Sequence, residues 1–130
     1  MIEVRDLTKR YGDRVAVNDI SFSVNRGEIL GFLGQNGAGK STTMKILSCF
    51  MPATGGVAKV AGYDVFDDAN EVKKRVGYLP ENPPLYLEMG VREYVEYVAE
   101  LKHLNVARRK ERVDFVMQRC GLNDVQRKVI

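Results

Sequence analysis

From Ile20 to Asn25 apolar and polar residues alternate one for one, with Ile20, Phe22 and Val24 set against Ser21, Ser23 and Asn25. A period of two marks a strand with one buried face. Met1 to Tyr11 mixes β-forming residues with charges, and the Gly12-Asp13 step has turn chemistry, so the two segments are predicted to pair as an antiparallel hairpin. Beyond the Asn25-Arg26-Gly27 turn the pattern changes. Glu28-Ile29-Leu30-Gly31-Phe32-Leu33 is a short apolar run, which predicts a strand buried on both faces of a parallel sheet. Helix-compatible residues fill Lys40 to Phe50, Met51-Pro52 stops that helix, and Thr54-Gly55-Gly56 leads into a strand over Val57 to Ala61. Asp68 followed by Glu71 predicts a capping box that opens a short helix through Arg75, which Gly77 ends. Val76 to Leu79 is a further strand candidate, closed by the rigid Pro80-Glu81-Asn82-Pro83-Pro84 loop. Then the period lengthens. Val91, Tyr94, Val95, Val98 and Leu101, followed by Val113, Val116, Met117 and Cys120, fall at helical spacing and predict two amphipathic helices separated near Asn105.

Composition narrows this picture without redirecting it. A chain of 130 residues, 45% hydrophobic and 28% charged, is long enough for one ordinary core. Its net charge of +3 is mild and its Lys and Arg are spread along the chain, so nucleic acid is not an expected partner. The run Arg108-Arg109-Lys110-Glu111-Arg112 reads as a solvated helix face, and His103 as a surface residue. Cys49 and Cys120 lack metal-type spacing and read as small buried thiols. No apolar run approaches the roughly 20 residues that span a bilayer, and nothing resembles a signal peptide, so a cytoplasmic location is expected.

The chemistry is concentrated in Gly34-Gln35-Asn36-Gly37-Ala38-Gly39-Lys40-Ser41. A triphosphate presents dense negative charge, and holding it takes many inward donors with little side-chain bulk in the way. Gly34, Gly37 and Gly39 allow the backbone to bring successive N–H groups round an anion, and the helix that follows presents its positive end. Lys40 supplies a mobile cation for the β and γ phosphates, and the Ser41 hydroxyl suits a magnesium ion that keeps most of its waters. The pattern G-x-x-x-x-G-K-[ST] arises by accident in roughly one chain of this length in a few hundred at average residue usage. Strand, glycine loop and helix in sequence make accident a poor explanation here.

With Val17-Asn18-Asp19-Ile20-Ser21-Phe22 and Arg26-Gly27-Glu28 ahead of it and Thr42-Thr43 behind, the loop resembles that of the nucleotide-binding subunits of ATP-binding cassette (ABC) transporters. The resemblance runs in order from Met1 to about Ile130. It implies an α/β P-loop NTPase core with an antiparallel β region and the start of an α-helical subdomain, with 1–87 as the nucleotide-binding core and 88–130 as the first part of the helical subdomain. It places Tyr11 against adenine, where a flat ring offers stacking worth about 1–3 kcal/mol, with Val17 lining the same pocket. It gives the backbone of Asn36, Gly37, Ala38 and Gly39, with Lys40, to the phosphates of ATP, Thr42 to the α phosphate, and Ser41 to Mg2+. In Val76-Gly77-Tyr78-Leu79-Pro80-Glu81 the family usually has Gln where this chain has Glu81, a residue that only accepts hydrogen bonds when ionised and reaches magnesium through a water. Glu81, the following Pro and Leu85-Tyr86 resemble the branch serving ABC-2-type export permeases.

The resemblance further implies a transmembrane permease partner, met by Leu85 to Tyr97, a second ATP-binding subunit closing over ATP, and a place on the inner face of the cell membrane. The family's later elements, namely the Leu-Ser-Gly-Gly-Gln signature, an Asp-Glu strand end, a further Asp loop and a switch His, have no counterpart here. The chain therefore reads as an N-terminal fragment, expected to bind nucleotide at most and to leave the Glu28 to Leu33 strand unpaired, while Lys40 and Glu81 serve hydrolysis in the full-length subunit. A soluble ABC-type ATPase acting on a nucleic-acid or ribosome partner is the alternative.

Overall fold

The alternating N-terminal segment forms the predicted hairpin. Strand β1 (Ile2–Tyr11) and strand β2 (Arg14–Val24) pair antiparallel from Ile2 opposite Val24 to Tyr11 opposite Arg14, round the turn at Gly12 and Asp13. The computed structural model describes residues 1–130 and divides into two units, Met1–Tyr78 and Leu79–Ile130.

Val4 and Leu7 are both core residues, at 2% and 0% exposure, although strict alternation would send positions three apart to opposite faces. The pairing register of β1 shifts between them, and Asp6 there has φ 51. The extra residue of that bulge returns Leu7 to the core side. Its backbone is not left bare, because the Asp6 N–H donates to Ser21 Oγ at 2.8 Å and the Ser21 hydroxyl donates to Asp6 Oδ1 at 3.2 Å. On its other edge β1 pairs with β3 (Gly55–Val60), and the two-residue β4 (Tyr63–Asp64) pairs with β3. The result is an antiparallel sheet in the order β2-β1-β3-β4.

Two helices complete the first core. Helix α1 (Lys40–Leu47) contributes Ile46 and Leu47, and helix α2 (Ala69–Arg75) contributes Val72, to a cluster with Val4, Leu7, Ala58, Val60 and Val65. The capping box expected at Asp68 does not form. Asp68 instead accepts from the Asp64 N–H at 3.2 Å, and Glu71 turns forward to Lys74 and Arg75, at 2.5 and 2.7 Å. Two cations at i+3 and i+4 outbid one backbone N–H for the carboxylate. The Lys74 bond first and the Arg75 bond second hold the Glu71 carboxyl below its ordinary range, so their help to α2 is present at neutral pH and fades as acid protonates the folded carboxylate.

The strands predicted at Glu28 to Leu33 and Val76 to Leu79 are absent. A strand exists through its ladder, and neither segment has a neighbour in this chain to pair with, so the sheet contains only antiparallel pairs. Ile29 and Leu33 stand 97% and 94% exposed, while the Phe32 ring lies 5.5 Å from that of Phe22.

In the second unit, helices α3 (Val91–Leu101) and α4 (Val106–Arg119) bury Ala99, Val113 and Met117, with Val91, Val95 and Leu122 at the margin. Ala99 replaces Leu101 and Cys120, which periodicity assigned to the apolar faces but which are exposed. Asn105 caps α4 by accepting the Ala107 N–H at 2.9 Å, matching the predicted break between the helices. Arg92 ties α3 to α4 through Asp114 at 2.5 Å and to the following 3-10 turn through Gln126 at 3.0 Å. His103 is exposed just past α3, and no helix is long and apolar enough to cross a membrane.

Leu7→Ala should lower stability by about 2–5 kcal/mol, since the site lies between packed layers and cannot collapse. Val57→Ala, on the same sheet but 46% exposed, should stay within about 0.5 kcal/mol. Urea midpoints compared at constant m-value measure both.

Candidate functional site

Helix α1 starts at Lys40, and the first bond of its ladder runs from the Thr43 N–H to the Gly39 carbonyl at 2.9 Å. The N–H groups of Lys40, Ser41 and Thr42 precede that bond and have no partner within the helix. No acidic side chain lies in the first turn to neutralise them. This helix end is therefore a set of donors with a positive field.

Gly39 sets where those donors point. It has φ 87, and a Cβ placed there would lie 2.3 Å from the Ala16 carbonyl oxygen and 3.1 Å from Val17 Cγ2. The loop thus rests directly on the β2 backbone, which no larger residue permits. Thr43, 1% exposed, donates its hydroxyl to the same Gly39 carbonyl at 3.0 Å, so the turn is held from both sides. No phosphate motif singles out Thr43, although its spacing of four from Gly39 suits a hydroxyl bonding back along a helix.

The rest of the loop closes on Lys40. Its Nζ donates to the Gly34 and Gln35 carbonyls at 2.6 and 2.8 Å, and the Ala38 N–H donates to the Gln35 carbonyl at 3.1 Å. A Cβ on Gly34 would sit 3.3 Å from Ala38 Cβ, which measures how tightly the loop is wound. The Lys40 ammonium therefore lies in the bowl of the loop, bonded to carbonyl oxygens. Phosphate oxygens are acceptors of the same kind carrying more charge, and an ammonium with three donors can turn to them over a short distance.

The structure gathers Gly34, Gly37, Ala38, Gly39 and Lys40 with Val17, while Asn36 and Ser41 are exposed and Thr42 is half-buried. Val17 is only 5% exposed and packs on Gly39. Tyr11 lies opposite Arg14 beside the hairpin turn, 47% exposed. Glu81 belongs to the second unit, exposed in a loop where the Tyr94 hydroxyl donates to the Pro84 carbonyl at 3.3 Å. There, Tyr86 packs on Tyr94 and Tyr97 with ring centroids 6.3 and 5.6 Å apart.

This geometry agrees with what the chain resembles. The ABC transporter family's sequence model matches residues 17–130. The daunorubicin resistance ATP-binding protein DrrA3 of Streptomyces coeruleorubidus is 37% identical over 129 residues, 99% of this chain and 41% of that protein. The bacitracin transport ATP-binding protein BcrA of Bacillus licheniformis is 32% identical over 130 residues, 100% of this chain and 42% of that protein. A solved structure of the ATP-binding subunit of an ABC transporter superposes with a TM-score of 0.86 at 30% identity, covering 99% of this chain and 54% of that one. The chain thus spans about two fifths of the length of the two curated relatives.

Gly39→Ala should weaken ATP binding at least tenfold, about 1.4 kcal/mol, because its Cβ must displace the Ala16 backbone. Gly37→Ala, where φ is 86 but nothing lies within 4 Å, should cost only the left-handed backbone penalty of about 1–2 kcal/mol in stability. Calorimetric titration and thermal melting of both variants separate the two effects.

Proposed function

This chain belongs to the ABC transporter family, and on that premise we propose that it is the nucleotide-binding part of an exporter's ATP-binding subunit. The observation that carries the reading is the Lys40 ammonium held in the bowl of the loop by the Gly34 and Gln35 carbonyls, at the positive end of α1. In this reading the N–H groups from Asn36 to Lys40 and the Lys40 ammonium take the phosphates of ATP, and Thr42 takes the α phosphate. Tyr11 stacks on adenine beside Val17, which fits its half-exposed ring at the hairpin end. Residues 1–87 form the nucleotide-binding core, and 88–130 begin the helical subdomain.

Magnesium suits the donors available. Ser41 offers an exposed hydroxyl on the first turn of α1, suited to an ion that keeps most of its waters. The ion would offset charge on the β and γ oxygens during phosphoryl transfer. Lys40 adds a positive charge where the leaving oxygen develops negative charge, which lowers the barrier more than it tightens the ground state.

Export is supported by relatives named for daunorubicin resistance and bacitracin transport. We take the partners to be a transmembrane permease, met by Leu85 to Tyr97, and a second ATP-binding subunit. The exposed Leu85, Tyr86 and Leu87 suit such a contact. The location is then the cytoplasmic face of the cell membrane, through the permease, with no nucleic-acid partner.

Lys40→Ala in the full-length protein should lower ATP turnover on the order of 100-fold or more, measured as phosphate release, and should abolish transport. Turnover within a few-fold of the unsubstituted protein would overturn the phosphate role. Copurification of a polytopic membrane subunit with the full-length protein tests the transporter assignment.

A further inference from the structure

A stacking ring binds a base well only if it is already held still, because an unpinned aromatic side chain loses rotamer freedom when the base arrives. Tyr11 ends β1, where strand pairing fixes its backbone opposite Arg14 but leaves the ring free to turn. Two contacts outside the pairing stop it. The Tyr11 hydroxyl donates to Met51 Sδ at 3.1 Å, and the Lys9 ammonium lies over the ring, 5.2 Å from its centroid. That distance is within the roughly 6 Å over which a cation is attracted to an aromatic face.

Lys9 is itself fixed. Its Nζ donates to the Pro52 carbonyl at 2.7 Å, so the cation sits at one end of a tether whose other end is backbone. Met51 packs against the first core, and Met51-Pro52 is the stretch by which the chain leaves the phosphate-binding helix. The ring meant for the base is thus braced from the loop that follows the helix meant for the phosphates. With the ammonium over one face, a flat ligand is left the other.

We propose that Lys9 is a positioning residue for the nucleotide base: tethered to Pro52, it occupies one face of Tyr11 and, with Met51, presents the opposite face in a single orientation. This rests on the reading that Tyr11 stacks on the base, and extends it to a residue that touches neither base nor phosphate.

The test titrates the full-length protein with Mg-ATP and separately with inorganic tripolyphosphate, which has the phosphates and no base. Lys9→Met keeps the aliphatic stem and removes the charge. It should weaken Mg-ATP about two- to fivefold and leave tripolyphosphate unchanged, with Lys9→Arg restoring affinity. Tyr11→Leu should weaken Mg-ATP more, and adding Lys9→Met to it should change nothing further. If Tyr11→Leu weakens Mg-ATP while Lys9→Met does not, the positioning role is overturned and the stacking role stands. If Tyr11→Leu leaves Mg-ATP untouched, both fall. Equal weakening of Mg-ATP and tripolyphosphate by Lys9→Met would make Lys9 a general charge or fold residue and overturn the proposal.

Discussion

The contact of Gly39 with the second strand of the hairpin is the constraint on which the site depends. A triphosphate is bound by N–H groups that must converge, and convergence requires a loop wound more tightly than side chains allow. Here the loop is wound against a fixed wall, the Ala16 carbonyl and the Val17 side chain. Thr43 holds the same turn from the helix side by bonding back to the Gly39 carbonyl. The direction of the donors is therefore set by strand position, and strand position by the sheet.

The sheet in turn owes its core to an irregularity. Without the bulge at Asp6, Val4 and Leu7 would face opposite ways, and the β1 surface beneath α1 would lose a fully buried leucine. With it, Val4 and Leu7 join Ile46 and Leu47 of that helix in one core cluster, so the helix whose N-terminus carries the free donors is anchored through its C-terminal half. Core and site share one element. The brace on Tyr11 belongs to the same economy of parts, since Met51 joins the core and reaches the ring. In the second unit a smaller apolar seam is supplemented by the Arg92 network, whose bond to Asp114 registers α3 against α4 and whose bond to Gln126 ties α3 to the turn that follows.

Much of this was legible in the chain. The hairpin and its turn, the β3 strand, the start of the phosphate helix and the two later helices follow from local periodicity and turn residues, because each signal lies within the element it specifies, whereas that helix ends at Leu47 and not at Phe50, with Cys49 at φ 57. The glycine loop and Lys40 were equally readable, since the spacing of small residues and one cation is itself the requirement for holding phosphates. The misreadings have a common cause. Glu28 to Leu33 and Val76 to Leu79 have strand composition but find no neighbour in this chain, and composition cannot supply a ladder. Glu71 had the spacing of a capping box, but Lys74 and Arg75 compete for its carboxylate. Leu101 lay at helical spacing but ends α3, where it is exposed, and Ala99 two residues earlier is buried instead.

The sequence by itself determined the groups on offer, a glycine loop with one lysine, a serine hydroxyl beside it and a tyrosine ring at the hairpin end, and with them membership of the ABC transporter family. Tertiary structure alone decided what holds those groups in place: the Ala16 carbonyl under Gly39, the Thr43 bond, the Asp6 bulge, and the Lys9 and Met51 contacts on Tyr11. The reason is range. Motif and periodicity encode what neighbouring residues can do, whereas orientation is fixed by atoms far apart in the chain that meet only once the core has formed.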